Sequence, residues 1–138
     1  MLSVLFDSSV YISALRLGNG ALKKSVPGAI LWLSAVVLEE LYAGARDRDR
    51  YIVQRLEHDL EKARRVLVPN LRDWARTGRV LARLAAKYGY ERIGRERLTN
   101  DALIALSAGR AGITIVTANE RDFSRLAEFC AFRWVTKI

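Results

Sequence analysis

Five short runs rich in β-branched and apolar residues, at positions 2–6, 29–33, 65–68, 112–117 and 132–135, alternate with segments of helical periodicity. That alternation leaves few architectures. Strands separated by helices tend to run parallel, and a parallel sheet needs helices on both faces. The expected fold is an α/β domain with a mostly parallel sheet flanked by helices. In segment 48–62 the apolar positions Tyr51, Ile52, Leu56 and Leu60 are spaced for one helix face. In segment 72–88 the corresponding positions are Trp74, Leu81, Leu84, Ala85 and Tyr88. Right-handed crossovers would gather the strand carboxyl ends along one edge, where α/β proteins bind ligands. Asp7 and Thr117 fall at such ends.

No repeat, low-complexity tract or linker interrupts the 138 residues, so residues 1–138 read as one domain, long enough to build its own core. The longest apolar stretch, AILWLSAVVL, is broken by Ser34 and soon meets Glu39 and Glu40. It is too short to span a bilayer. Asp7 and Ser8 follow the first apolar residues at once, unlike a signal peptide, and the chain reads as cytoplasmic with no membrane partner. A single cysteine, Cys130, rules out an internal disulfide and a multi-cysteine zinc site. Its setting, EFCAFRW, predicts a buried, inert thiol.

The net charge is +8 with only 15 acidic residues, so acids at the ends of apolar elements need a reason. Asp7 closes MLSVLF, Glu40 sits inside SAVVLEELYAG, Asp101 opens NDALIALSAG, and Asp122 follows GITIVT in TANERDF. Each has a local explanation. Asp7 can cap the helical stretch after it, and Asp122 stands three residues after Asn119 as a capping pair would. Thr99 can cap the helix that contains Asp101, leaving Asp101 in a first turn that favours negative charge. Yet Asp101 is in phase with Ile104, Ala105 and Ala108, on a small apolar face. With Ser34 as a cap, Val37, Leu38, Leu41 and Ala45 form a buried stripe that Glu40 flanks, while Glu39 lies farther toward solvent. Four acids converging at one edge would repel one another and call for cations, and a bound divalent metal satisfies them. Carboxylate-held metal within a basic surface points to phosphodiester chemistry.

Arginine carries most of the positive charge, 18 Arg against 5 Lys. Arg72, Arg76, Arg79, Arg83 and Lys87 follow helical spacing, either as a solvated face or as an RNA contact. Arg92, Arg95 and Arg97 precede Asp101 and can meet RNA or pair with Glu91 and Glu96. The only histidine, His58, lies in the mixed-charge string EHDLEK and reads as a surface residue, which argues against a histidine relay. No glycine-rich phosphate loop is present. Ser9 stands where a haloacid-dehalogenase pattern needs a second aspartate.

Taken in order, LFDSSVYISAL, SAVVLEELYAG, LTNDALIALSA and VTANERDF resemble the PIN-domain nucleases, particularly the compact VapC-type toxins of toxin–antitoxin pairs. The resemblance implies a five-stranded parallel sheet flanked by helices and an endoribonuclease dependent on Mg²⁺ or Mn²⁺. It carries metal-site roles onto Asp7, Glu40, Asp101 and Asp122, and puts Ser9, Thr117 and Asn119 beside them as polar positioning groups. Asn119 stands where many relatives have a further aspartate. The implied partners are RNA as substrate, a cognate antitoxin and a second copy of the chain. An RNA-processing PIN nuclease without an antitoxin, and a catalytically idle binding module on the same fold, are the alternatives.

Overall fold

The five apolar runs form five strands: β1 (Ser3–Phe6), β2 (Ile30–Ser34), β3 (Val66–Leu67), β4 (Thr114–Thr117) and β5 (Trp134–Thr136). Between them lie α1 (Ser8–Leu17), α2 (Ala35–Gly44), α3 (Asp47–Lys62), α4 (Leu71–Tyr88), α5 (Leu98–Ala111) and α6 (Glu120–Leu126). The structure, a computed structural model, describes residues 2–17, 27–90 and 98–136. Every strand pairing is parallel, in the order β3-β2-β1-β4-β5. The chain therefore builds outward from β1 to β3, then crosses to the other side of β1 for β4 and β5. The cleft outside the carboxyl ends of β1 and β4 is the point where strand order reverses, the usual ligand position in open α/β sheets.

Burial follows that topology. Val4, Leu5 and Phe6 of β1 and all four residues of β4 are buried, whereas Val135 on edge strand β5 is exposed. Helix α5 is enclosed on nearly every side, with Ala102 to Ala108 buried without interruption. Its small residues let neighbours approach closely. A Cβ on Gly109 would lie 2.5 Å from the Ala131 carbonyl oxygen, so only glycine leaves room for that backbone. Gly112, at φ +71°, makes the left-handed turn from α5 into β4.

The buried faces of two helices keep Leu60, Leu84 and Ala85 of the apolar pattern, with Leu81 and Tyr88 half-buried, but turn away from its first residues. In α3 the buried residues are Val53 and Leu60, with Leu56 half-buried; Tyr51 and Ile52 are exposed. In α4 the buried face runs through Asp73, Thr77, Val80, Leu84 and Ala85, while Trp74 is 54% exposed. Two polar residues disguise that face. Asp73 closes a capping box with Asn70: each backbone N–H donates to the other's side chain, at 3.0 and 2.8 Å. Its carboxylate also receives Arg110 Nε at 2.9 Å, and the Arg110 guanidinium reaches the Val68 carbonyl. Arg110 lies in the last turn of α5 and Asp73 in the first turn of α4, so each charge complements its helix dipole. Burial pushes the Asp73 pKa up, but the hydrogen bonds from Arg110 and Asn70 and the charges of Arg110 and Arg76 outweigh it. The carboxyl sits below its ordinary value.

Among the described residues, no helix is long and apolar enough to cross a membrane.

Candidate active site

Asp7 follows β1 directly and is 4% exposed. Its backbone N–H extends the sheet pairing by donating to the Val116 carbonyl at 3.1 Å, which fixes it beside the end of β4. Its carboxylate caps α1, accepting from Val10 N–H at 3.3 Å. Two hydroxyls complete its surroundings: Ser9 Oγ donates to Oδ1 and Thr117 Oγ1 to Oδ2, both at 2.5 Å. Each hydroxyl is itself oriented by a backbone donor of the turn after β4. Ala118 N–H donates to Ser9 Oγ at 3.3 Å and Asn119 N–H to Thr117 Oγ1 at 2.9 Å. Two successive amides thus aim two hydroxyl protons at the two oxygens of one carboxylate.

The network continues into α6. Asn119 is its N-cap and accepts from Asp122 N–H at 3.4 Å, while Asn119 Nδ2 donates back to Asp122 Oδ2 at 2.9 Å. The capping pair expected at these positions is present. Asp122 is 8% exposed, and Arg121 Nε approaches its other oxygen at 3.4 Å. Asp7 and Asp122 are therefore joined through Thr117 and Asn119.

Glu40 lies in α2, which Ser34 caps by accepting from Val36 N–H at 3.2 Å. Glu40 is half-buried and Glu39 exposed. Asp101 is half-buried in the first turn of α5; Thr99 lies inside that turn and is not its cap. Helix α2 packs on α1 and α5, and α5 packs on α6. Among the described residues, no three His, Cys, Asp or Glu side chains close into a metal cage. The hydrogen bonds above join Asp7 to Asp122, and Glu40 and Asp101 lie on α2 and α5 of the same packed group of helices.

His58 is exposed, as expected. Tyr11, edge-on to Phe6 at 5.7 Å, is buried, and burial pushes its phenol pKa up, so it stays protonated. Arg72, Arg79, Arg83 and Lys87 are exposed and Arg76 half-buried. Arg92, Arg95 and Arg97 lie outside the described residues. No pattern in the sequence marks Arg121 beside Asp122 or the aromatic–cation cluster at the far end of α4. There Arg125 lies 4.6 Å from the Tyr88 ring centre, Arg83 lies 5.9 Å from that of Phe129, and Lys87 and the Tyr88 hydroxyl both bond Glu128.

The PIN-domain family model matches residues 4–129. The chain belongs to the PIN-domain family. PIN domains are nucleases that generally depend on a divalent metal. This PIN domain is similar to a chain of the DNA-bound VapBC complex from Salmonella typhimurium: TM-score 0.69, 26% identity, covering 99% of this chain and 98% of that one. A chain of VapBC2 from Rickettsia felis, bound to a promoter DNA fragment, shares the fold at TM-score 0.67 and 18% identity, covering 99% and 100%. One from VapBC-5 of Mycobacterium tuberculosis does so at 0.61 and 22%, covering 99% and 98%. No curated protein sequence is significantly similar to the chain.

Proposed function

We propose that this PIN domain is the toxin of a VapBC-like pair, and that it cleaves RNA internally using Mg²⁺ or Mn²⁺. The carboxylates of Asp7, Glu40, Asp101 and Asp122 would hold the metal. The observation that carries this reading is the buried Asp7 carboxylate at the strand-order reversal, oriented by two hydroxyls and linked to Asp122. The toxin reading rests on similarity to a VapBC chain over nearly the full length of both. An antitoxin is then the expected inhibitor, a homodimer the expected assembly and the cytoplasm the expected compartment.

The donor set suits a hard cation. Around Asp7 every side-chain donor atom is oxygen, the ligand type Mg²⁺ takes. A bound divalent ion would neutralise charge on the phosphate and make a water molecule a better nucleophile. The chain's own residues do the rest. Ser9 and Thr117 spend their protons on Asp7, which makes them positioning groups and leaves neither free to act as a nucleophile. Asn119 ties the first turn of α6 to the same network, keeping Asp122 near Thr117.

The test is cleavage of structured RNA by the purified protein, with Mg²⁺, with Mn²⁺ and after EDTA. Turnover should stop with EDTA, return with either ion and fall by several orders of magnitude in Asp7→Asn. Cleavage that survives rigorous metal removal, with Asp7→Asn fully active, would sink the mechanism. RNA binding without metal-dependent turnover would favour the idle binding module.

A further inference from the structure

Resting on the reading of RNA as substrate, we infer that the seam between α4 and the turn from α6 to β5 is a track for the backbone of single-stranded RNA. Arg72, Arg76, Arg79, Arg83 and Lys87 recur at intervals of three or four and so fall within about a quarter-turn of the α4 surface, at about 100° per residue. The single acid of α4, Asp73, is buried and taken by Arg110, so it does not neutralise the row. Residues after α6 line the other side of the seam: Glu128 bonds Lys87 and Tyr88, and Phe129 lies beneath Arg83. Helix α6 joins the seam to the candidate active site, because it carries Asp122 in its first turn and Arg125, stacked on Tyr88, in its last.

The chemistry of the row selects the ligand class. Arg72, Arg79 and Arg83 are exposed and have no carboxylate partner among the described residues. Lys87 is paired with Glu128 and contributes least. Arg125 and Lys87 cover the Tyr88 ring, and Arg83 covers that of Phe129. The rings therefore steady cations rather than stack bases, and the track reads phosphate charge and strand length, not base identity. An acidic protein helix would need apolar anchors within a charged rim. The exposed Trp74 of α4 lies about half a turn round the helix from the arginine row, at about 100° per residue. That separation favours the polyanion.

The measurement uses Asp7→Asn protein, which binds without cutting, and labelled oligo(U) and oligo(A) of equal length. Replacing Arg72, Arg79 and Arg83 with Gln should weaken binding by at least about tenfold and lower the slope of log affinity against log salt by about 2, at about 0.7 per phosphate contact. Arg46→Gln, Arg48→Gln and Arg55→Gln together remove the same charge from α3 and its approach, and should leave affinity within about twofold. Circular dichroism must show both triple variants folded. In protein that retains Asp7, the track substitutions must also leave the Mn²⁺-induced rise in Tm in place. Equal losses in the two variants, an unchanged slope in the track variant, or strong discrimination between oligo(U) and oligo(A) would each overturn the track. Displacement of RNA by polyglutamate at far lower charge concentration would reassign the seam to an acidic protein. Wild-type cleavage with a KM unchanged by the track substitutions sinks the track but leaves the nuclease reading standing. RNA neither bound nor cut by the wild type sinks both.

Discussion

Thr117 Oγ1 donates to Asp7 Oδ2 at 2.5 Å across 110 positions of sequence. The contact exists because β1 and β4 are neighbours, with Phe6 opposite Val116, so the residue after one strand meets the last residue of the other. It joins two buried polar side chains, and the Thr117 oxygen also takes the Asn119 N–H.

Thr117→Val keeps the shape but removes both roles, leaving a carboxylate oxygen and an amide each short of a partner. The expected cost is about 1–3 kcal/mol in urea unfolding, with a larger relative loss in RNA cleavage. Thr117→Ser should restore most of both. Equal activity in the Val and Ser variants would show that the hydroxyl does not position Asp7.

Asp7→Asn changes the charge with almost no change in volume. The folded state should persist by circular dichroism, and the Mg²⁺- or Mn²⁺-induced rise in Tm expected of the wild type should largely disappear. Asp101→Asn should weaken the same response. Equal metal-induced shifts in all three proteins would remove these acids from a shared site.

The Asp73–Arg110 pair predicts an acid-sensitive step in stability. Because the folded carboxyl lies below its ordinary value of 3.8, its contribution is fully present above that value. It is lost as pH falls through the lower folded pKa. Asp73→Ala should cost about 1–3 kcal/mol at neutral pH, since it opens the α4 cap and removes the charge-assisted hydrogen bonds from Arg110, whose exposed guanidinium can return to water. The gap between variant and wild type should narrow below pH 3.8, read by urea unfolding across pH. A constant gap would assign the effect to packing alone.

Two glycines should respond oppositely to alanine. At Gly109 the new methyl would meet the Ala131 carbonyl oxygen at 2.5 Å, and a loss of about 1–3 kcal/mol is expected. At Gly78, exposed on α4 with nothing within 4 Å, alanine should stabilise by up to about 1 kcal/mol. Thermal melts of the pair give the sign of each.

Burial raises the Cys130 thiol to about 11, with Arg76 pulling weakly the other way. The native thiol should react with a disulfide reagent at pH 8 far more slowly than the urea-unfolded chain. A native rate matching the unfolded one would contradict the packing of this turn.

The five strands fall within one or two residues of the apolar runs, and Ser34, Asp7 and Asn119 cap the helices they precede. These features were legible because apolar run length and cap hydrogen bonds act over a few neighbouring residues. The preference for Glu40 over Glu39 was legible for the same reason: helical periodicity alone turns Glu39 to solvent. Other features depended on partners far along the chain. Asp73 looked like the lone acid in a basic stripe, yet Arg110, 37 residues away, makes its burial tolerable. That exchange moved the buried face of α4 off Trp74, which an apolar count had placed inside. Glu128 meets Tyr88 from 40 residues away, closing a seam that periodicity could not show. Local sequence sets which segments become strand or helix and where they start. Which charged side chains can be buried, and which face of a helix turns inward, is settled when packing supplies the partner that replaces water.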